Sequence, residues 1–307
     1  MKQQQPLLGF IFALITAMAW GSLPIALKQV LNVMNPQTIV WYRFVTASVV
    51  LLLLLGISKK LPKLANFNRY YIGLFIFGVI GLSGNFSLLN TSLKFVEPSV
   101  AQIFIHLSSF AMLICGVIIF KERLGLHQKI GLAVLIIGLG LFFNNKLGEL
   151  AQLNSYFIGV SLSICAALVW VAYGLAQKLL LRQFTAQQVL LMFYFGCAMV
   201  FTPFAQVSQV QGLSGLTLAC FLYCCLNTLI GYGAYAEALN RWEVAKVSVV
   251  VTLVPLFTIV FSHLLHHLSP THFAEPELNQ LSYIGAFVVV IGAMFSAIGH
   301  KFIKNKK

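Results

Sequence analysis

The sequence predicts an all-α integral membrane protein of ten transmembrane helices, built as two inverted five-helix repeats with both termini cytoplasmic. Three observations carry that prediction: composition, the placement of cations, and similarity between the two halves. Of 307 residues, 59% are hydrophobic and only 9% charged, with a mean hydropathy of +0.90. A soluble domain carries roughly 25% charged residues to solvate its surface, so most of this surface faces lipid.

A tilted spanning helix uses roughly 20 apolar residues. Runs of that order lie at 7–27, 36–56, 71–92, 98–119, 128–143, 156–178, 186–205, 214–239, 246–268 and 281–300. The loops between them alternate in charge. Sixteen of the 20 Lys and Arg, from Lys2 to Lys307, fall on one side of this array; Lys28, Lys94 and Lys146 fall on the other, and Arg43 lies inside a span. Cytoplasmic loops carry the excess of Lys and Arg, which puts both termini in the cytoplasm and turns the net charge of +13 into an orientation signal. Membrane lipids are therefore expected partners, and nucleic acid is not.

The first and sixth spans align at an offset of 150, pairing Gly9 with Gly159, Ala17 with Ala167, Trp20 with Trp170 and Lys28 with Lys178. The Trp pair weighs most, because the chain holds only four Trp. Later spans align at 146, pairing Glu97 with Glu243, and the last helix of each half reads I-G-x-x-x-x-x-I-G, at Ile130 to Gly138 and Ile284 to Gly292. The halves are thus residues 1–150 and 151–307, with an insertion near 268–280 in the second. Five spans is an odd number, so the second copy starts on the opposite side of the membrane from the first. Inverted repeats around a midplane site are a recurring transporter design, because exchanging the two conformations reverses which side is open. Lys2 followed by Ala17-Met18-Ala19 has the look of a cleaved signal peptide, but the first span has an internal counterpart and is expected to be retained.

All seven acidic residues are Glu. Without an Asp the chain lacks Asp-rich diphosphate motifs, Asp-based metal sites and Walker-type nucleotide hydrolysis. The six Cys lie in apolar runs without a C-x-x-C pair and read as small apolar fillers. Neither cofactor nor metal is expected.

Taken in order, these pieces resemble the EamA family of the drug/metabolite transporter superfamily. They are the Trp20 helix, the Arg43-Phe44 pair, and the stretch FKERLGLHQKIGLAVLIIGLGL from Phe120 to Leu141. The second repeat has Pro255 where the family often has a mid-helix proline, while the first has Ser109 there; the second lacks the loop Glu, carrying His267, Leu268 and Ser269 instead. The resemblance covers nearly the whole chain and implies a secondary transporter of the bacterial inner membrane, not an enzyme. Its implied cargo is a small metabolite.

Ionisable groups inside spans are costly and are functional candidates by default. Arg43 lies about 10 Å down its helix from Pro36 at 1.5 Å per residue, and Trp20, Asn85 and His106 fall at similar depth on three other spans. No carboxylate lies within the first four spans except Glu97 at a helix end. Two readings of Arg43 stay open: it binds a substrate carboxylate, or it snorkels outward and caps backbone carbonyls. His106 divides between a proton or substrate role and a satisfied buried imidazole. In the second half the matching layer is Trp170, Tyr173, Asn227, Tyr232, Tyr235 and Glu237, and Glu237 has Arg241 four residues on as an alternative partner. An Arg, several aromatics and few acids suit an amino acid or related amphipathic solute, exported by alternating access with a coupling proton.

Rival readings are weaker. A passive channel or facilitator would use the same polar interior. His263, His266 and His267 resemble one box of a membrane di-iron enzyme, but His106, His127, His272 and His300 are scattered singly. Gly81-Leu82-Ser83-Gly84 and Gly212-Leu213-Ser214-Gly215 both match the G-x-S-G of intramembrane proteases, yet small residues in spans usually mark close helix packing.

Overall fold

The computed structural model describes residues 5–62, 68–104, 106–108, 110–111, 125–145, 153–242 and 244–299. The loop basic residues Lys121 and Arg123, the acids Glu122, Glu149 and Glu243, most of the fourth span and the basic C-terminal tail lie outside them.

Helix boundaries follow local chemistry. α1 (Pro6–Val30) and α2 (Pro36–Ile57) both begin on proline, whose missing N–H costs nothing in the first turn. α3 (Arg69–Ser92) is capped by Asn68, whose side chain accepts from Tyr71 N at 2.9 Å. α4 (Pro98–Ile103) is a short piece that starts on proline and stops at Phe104. α5 (Leu126–Phe142) follows Gly125, and α6 (Ser155–Leu180) follows Asn154, whose Oδ1 accepts from Tyr156 N at 3.0 Å. α7 (Ala186–Phe201) opens with a capping box: Gln188 N donates to Thr185 Oγ1 and Thr185 N to Gln188 Oε1. α8 (Gly215–Arg241) is the longest, at 27 residues. α9 (Val244–Val251) and α10 (Val254–Leu268) form one apolar span broken at Thr252 and Leu253. Pro255 explains the break, because it removes the donor that the Val251 carbonyl would otherwise accept from. α11 (Gln280–Ile298) is capped by Asn279.

The described residues are helical and turn structure without strands, which agrees with the all-α expectation. Seven helices among them are long and apolar enough to cross a membrane, and two shorter apolar helices occupy Leu126–Phe142 and Gln280–Ser296. Leu53, Ile80, Ile137 and Phe287 are more than half exposed, as lipid-facing side chains are.

The chain divides into two compact units, and each draws on both halves of the sequence. The first comprises Met1–Ile25, Phe95–Ser161 and Gly231–Lys307; the second comprises Ala26–Lys94 and Leu162–Ile230.

In the first unit, α5 and α11 run antiparallel in glycine-mediated contact. A Cβ added to Gly131 would stand 2.7 Å from the Gly292 carbonyl oxygen, and one on Gly138 would stand 2.6 Å from Val289 N. The same I-G-x-x-x-x-x-I-G spacing on both helices produces this seam, since small residues one side of a helix let backbones approach. In the second unit α3 and α6 are likewise antiparallel: Gly78 faces Ala176, Gly81 faces the Tyr173 backbone, and Gly84 faces Val169. The first G-x-S-G tetrapeptide thus contributes both of its glycines to helix packing. α2 lies against α7, with Trp41 Nε1 donating to Thr202 Oγ1 at 3.0 Å. Cys197 and Cys224 are free and buried, consistent with a filling role.

Candidate functional site

Arg43 is the largest fully buried side chain, 1% exposed, on the eighth residue of α2. Its Nε donates to Thr228 Oγ1 on α8 at 3.0 Å, and the Thr228 hydroxyl donates in turn to the Cys224 carbonyl at 3.2 Å. The guanidinium carbon lies 4.9 Å from the centroid of the Phe86 ring, a cation–π distance. Phe44 fixes that ring, with centroids 4.7 Å apart, and packs on Tyr194 at 5.7 Å. Thr228 is the one hydrogen-bond partner of the guanidinium among the described residues. The stretches forming this unit, 26–94 and 162–230, contain no acidic residue. A buried cation held by a hydroxyl and a ring, with no acid in its unit's sequence, is electrostatically incomplete, because removal from water costs several kcal/mol.

The remaining candidates of the second unit surround other contacts. Asn85 Nδ2 donates to the Ala166 carbonyl of α6 at 2.8 Å. Trp170 packs on Tyr173 at 5.7 Å, and Tyr173 packs on Phe193 at 5.1 Å. Asn227 Nδ2 donates to the Tyr223 hydroxyl one turn back on α8, at 2.9 Å.

In the first unit, Trp20 stacks against Tyr232 at 5.1 Å and Tyr235 at 5.4 Å. Pro24 has no N–H for the Trp20 carbonyl four residues back, and Gln102 Nε2 supplies the missing donor at 2.9 Å. Thr258 Oγ1 donates to the next carbonyl, Gly21, at 2.8 Å. The kink in α1 is thereby stitched to α4 and α10. His106 is 3% exposed and hydrogen-bonds the backbone of Thr252, at the α9–α10 break. Glu237 pairs with Arg241, with an N–O distance of 2.9 Å and both side chains about a third exposed. Arg241 also hydrogen-bonds Gln5 and lies over the Phe12 ring at 5.5 Å.

Depth along each span places Trp20, Arg43, Asn85 and His106 in one layer, but the contacts group them differently. Trp20, His106, Tyr235 and Glu237 belong to the first unit; Arg43, Asn85, Trp170, Tyr173 and Asn227 belong to the second. Sequence reasoning missed Thr228, Phe86 and Gln102. Gln102 had a signal: a proline four residues after Trp20 announces a free carbonyl. Nothing in the sequence marks Thr228. The outer histidines are engaged locally, His263 Nε2 with the Tyr283 hydroxyl at 2.6 Å and His266 Nδ1 with the Phe273 carbonyl at 2.8 Å. No group of three or more His, Cys, Asp or Glu that would suit a metal occurs among the described residues.

Seven apolar helices of spanning length among the described residues, with a buried arginine on one of them, define a membrane protein. The chain belongs to the EamA-like transporter family, whose model matches twice, over residues 7–144 and 157–298. It is 68% identical over 304 residues to an uncharacterized transporter of Haemophilus influenzae, covering 99% of each chain. It is 47% identical over 303 residues to the uncharacterized inner membrane transporter YhbE of Escherichia coli, covering 98% of this chain and 94% of that one. A probable amino-acid metabolite efflux pump of Escherichia coli is 22% identical over 310 residues, covering 97% of both. One solved crystal structure superposes with a TM-score of 0.67 at 15% identity, over 98% of this chain and 100% of the other, and shares the fold. The protein is a multi-pass transporter of the cell membrane.

Proposed function

We propose that the protein exports a small amphipathic metabolite bearing a carboxylate, an amino acid or a related solute, by alternating access. The observation that carries this reading is Arg43: a buried guanidinium with one hydroxyl partner, in a unit whose sequence has no acid. A substrate carboxylate would complete the bidentate pairing that its Nη groups favour, and the Phe86 and Phe44 rings would receive an apolar side chain. The distant relative named as a probable amino-acid metabolite efflux pump supports the substrate class and the direction. The antiparallel pairing of α5 with α11, which carry the same glycine spacing, supports the division into inverted repeats of residues 1–150 and 151–307.

The test is counterflow of radiolabelled L-amino acids into proteoliposomes preloaded with the unlabelled compounds. Saturable, trans-stimulated uptake that Arg43→Ala abolishes supports the reading. Flux without trans-stimulation points to a passive channel, and full uptake by Arg43→Ala removes the carboxylate site.

A further inference from the structure

We propose that His106 is the group that carries the coupling proton, binding and releasing it at Nε2 beside the α9–α10 break of the first unit. This inference rests on the reading of the protein as a solute carrier and names what drives it.

This unit holds several unfinished polar groups. His106 Nε2, Ser99 Oγ and Trp20 Nε1 are all buried, and none has a hydrogen-bond partner among the described residues. Ser99 is 2% and His106 3% exposed. Gln102 ties α4 to the Trp20 carbonyl, and along the chain Ser99 lies three residues before Gln102 and His106 four residues after it. A buried polar atom without a partner forfeits the hydrogen bond it had in water. The two helices flanking the imidazole are both interrupted, α4 after Ile103 and the α9–α10 span at Thr252 and Leu253. Discontinuous helices near the membrane centre are where transporters build ion and substrate sites.

The hydrogen bond to the Thr252 backbone leaves Nε2 as the nitrogen open to exchange. A ring nitrogen that donates to a backbone carbonyl keeps that bond in both the neutral and the protonated imidazole, so the ring stays oriented as the charge changes. In the step itself, a water-borne proton on one side breaks its O–H bond and forms an N–H bond at Nε2. On the other side the N–H bond breaks, the electron pair returns to nitrogen and the proton leaves to water.

Among the described residues of this unit, several other titratable groups are committed to partners or peripheral. Glu237 pairs with Arg241, His263 bonds Tyr283, His266 bonds Phe273, and Glu97 accepts from the Glu277 backbone. Tyr232 and Tyr235 pack on Trp20, while Lys129 and His267 are exposed at helix ends.

The experiment uses the full-length protein in proteoliposomes with a radiolabelled L-amino acid mixture, assayed first by counterflow without a gradient and then by accumulation under an imposed pH gradient. Proton movement is followed with a pH-sensitive dye inside the vesicles. His106→Gln and His106→Asn are each expected to keep counterflow within about threefold of wild type while losing gradient-driven accumulation and the accompanying proton flux. His267→Gln, at an exposed helix end, should keep both. Gradient-driven accumulation that survives either His106 substitution overturns the proposal, as does wild-type gradient-driven accumulation that moves no protons. Absence of wild-type counterflow would instead overturn the carrier reading on which this one stands.

Discussion

Gly131 of α5 and Gly292 of α11 meet backbone to backbone: a Cβ on Gly131 would lie 2.7 Å from the Gly292 carbonyl oxygen, and one on Gly292 would lie 2.8 Å from the Gly131 carbonyl oxygen. The contact is reciprocal because the two helices carry the same glycine spacing and run in opposite directions. Gly292→Val has no side chain that could yield, so it should cost about 1–3 kcal/mol or more through overpacking. Gly140→Val is the internal control, since nothing lies within 4 Å of a Cβ added there. Thermal unfolding in detergent should show a clear drop for the first and almost none for the second.

Gln102 acts as a substitute for the N–H that Pro24 lacks. Gln102→Leu leaves the Trp20 carbonyl unsatisfied and should cost about 1–3 kcal/mol. Pro24→Ala restores the donor within α1, so the same Gln102→Leu change should cost less in that background. A double-mutant cycle measured by thermal unfolding reads the difference; strict additivity would show that the Gln102 hydrogen bond does not depend on the kink.

Thr228 is the one hydroxyl bonded to Arg43 among the described residues. Thr228→Val keeps the shape and removes the acceptor, which for a hydrogen bond to a charged group amounts to about 1.5–3 kcal/mol. Thr228→Ser should restore most of it. The pair of variants separates loss of the hydrogen bond from loss of packing, and the stability of purified protein is the readout.

Glu237 and Arg241 form a partly exposed pair at the end of α8. Such pairs contribute less than about 1 kcal/mol and are screened by salt. Glu237→Gln should therefore shift thermal stability slightly at low ionic strength and not at all near 1 M salt, where the Debye length is about 3 Å. A large loss that persists in high salt would mean that Glu237 holds something more than Arg241.

The membrane class and most span positions were legible, because apolar length and charged interruptions depend only on the order of residues. Glycine spacing even marked the surface on which α5 and α11 meet. The grouping of polar side chains was not legible. Counting residues from the end of a span gives depth but not azimuth, so Trp20 and Arg43 share a depth while their contacts lie in different units, Trp20 with Tyr232 and Tyr235, Arg43 with Thr228 and Phe86. Of the fourth span, read as 98 to 119, the described residues include the helix Pro98–Ile103, and most of the rest lies outside them.

The central claim is that Arg43 reads the carboxylate of the transported solute, and counterflow in proteoliposomes with the matched amino-acid and amino-alcohol forms of one solute tests it most directly. Wild-type protein should transport the acid and reject the alcohol, and Arg43→Lys should weaken transport of the acid by an order of magnitude or more, since an ammonium cannot reproduce the bidentate fork. Equal transport of acid and alcohol by the wild type, or undiminished transport of the acid by Arg43→Lys and Arg43→Ala, would contradict it.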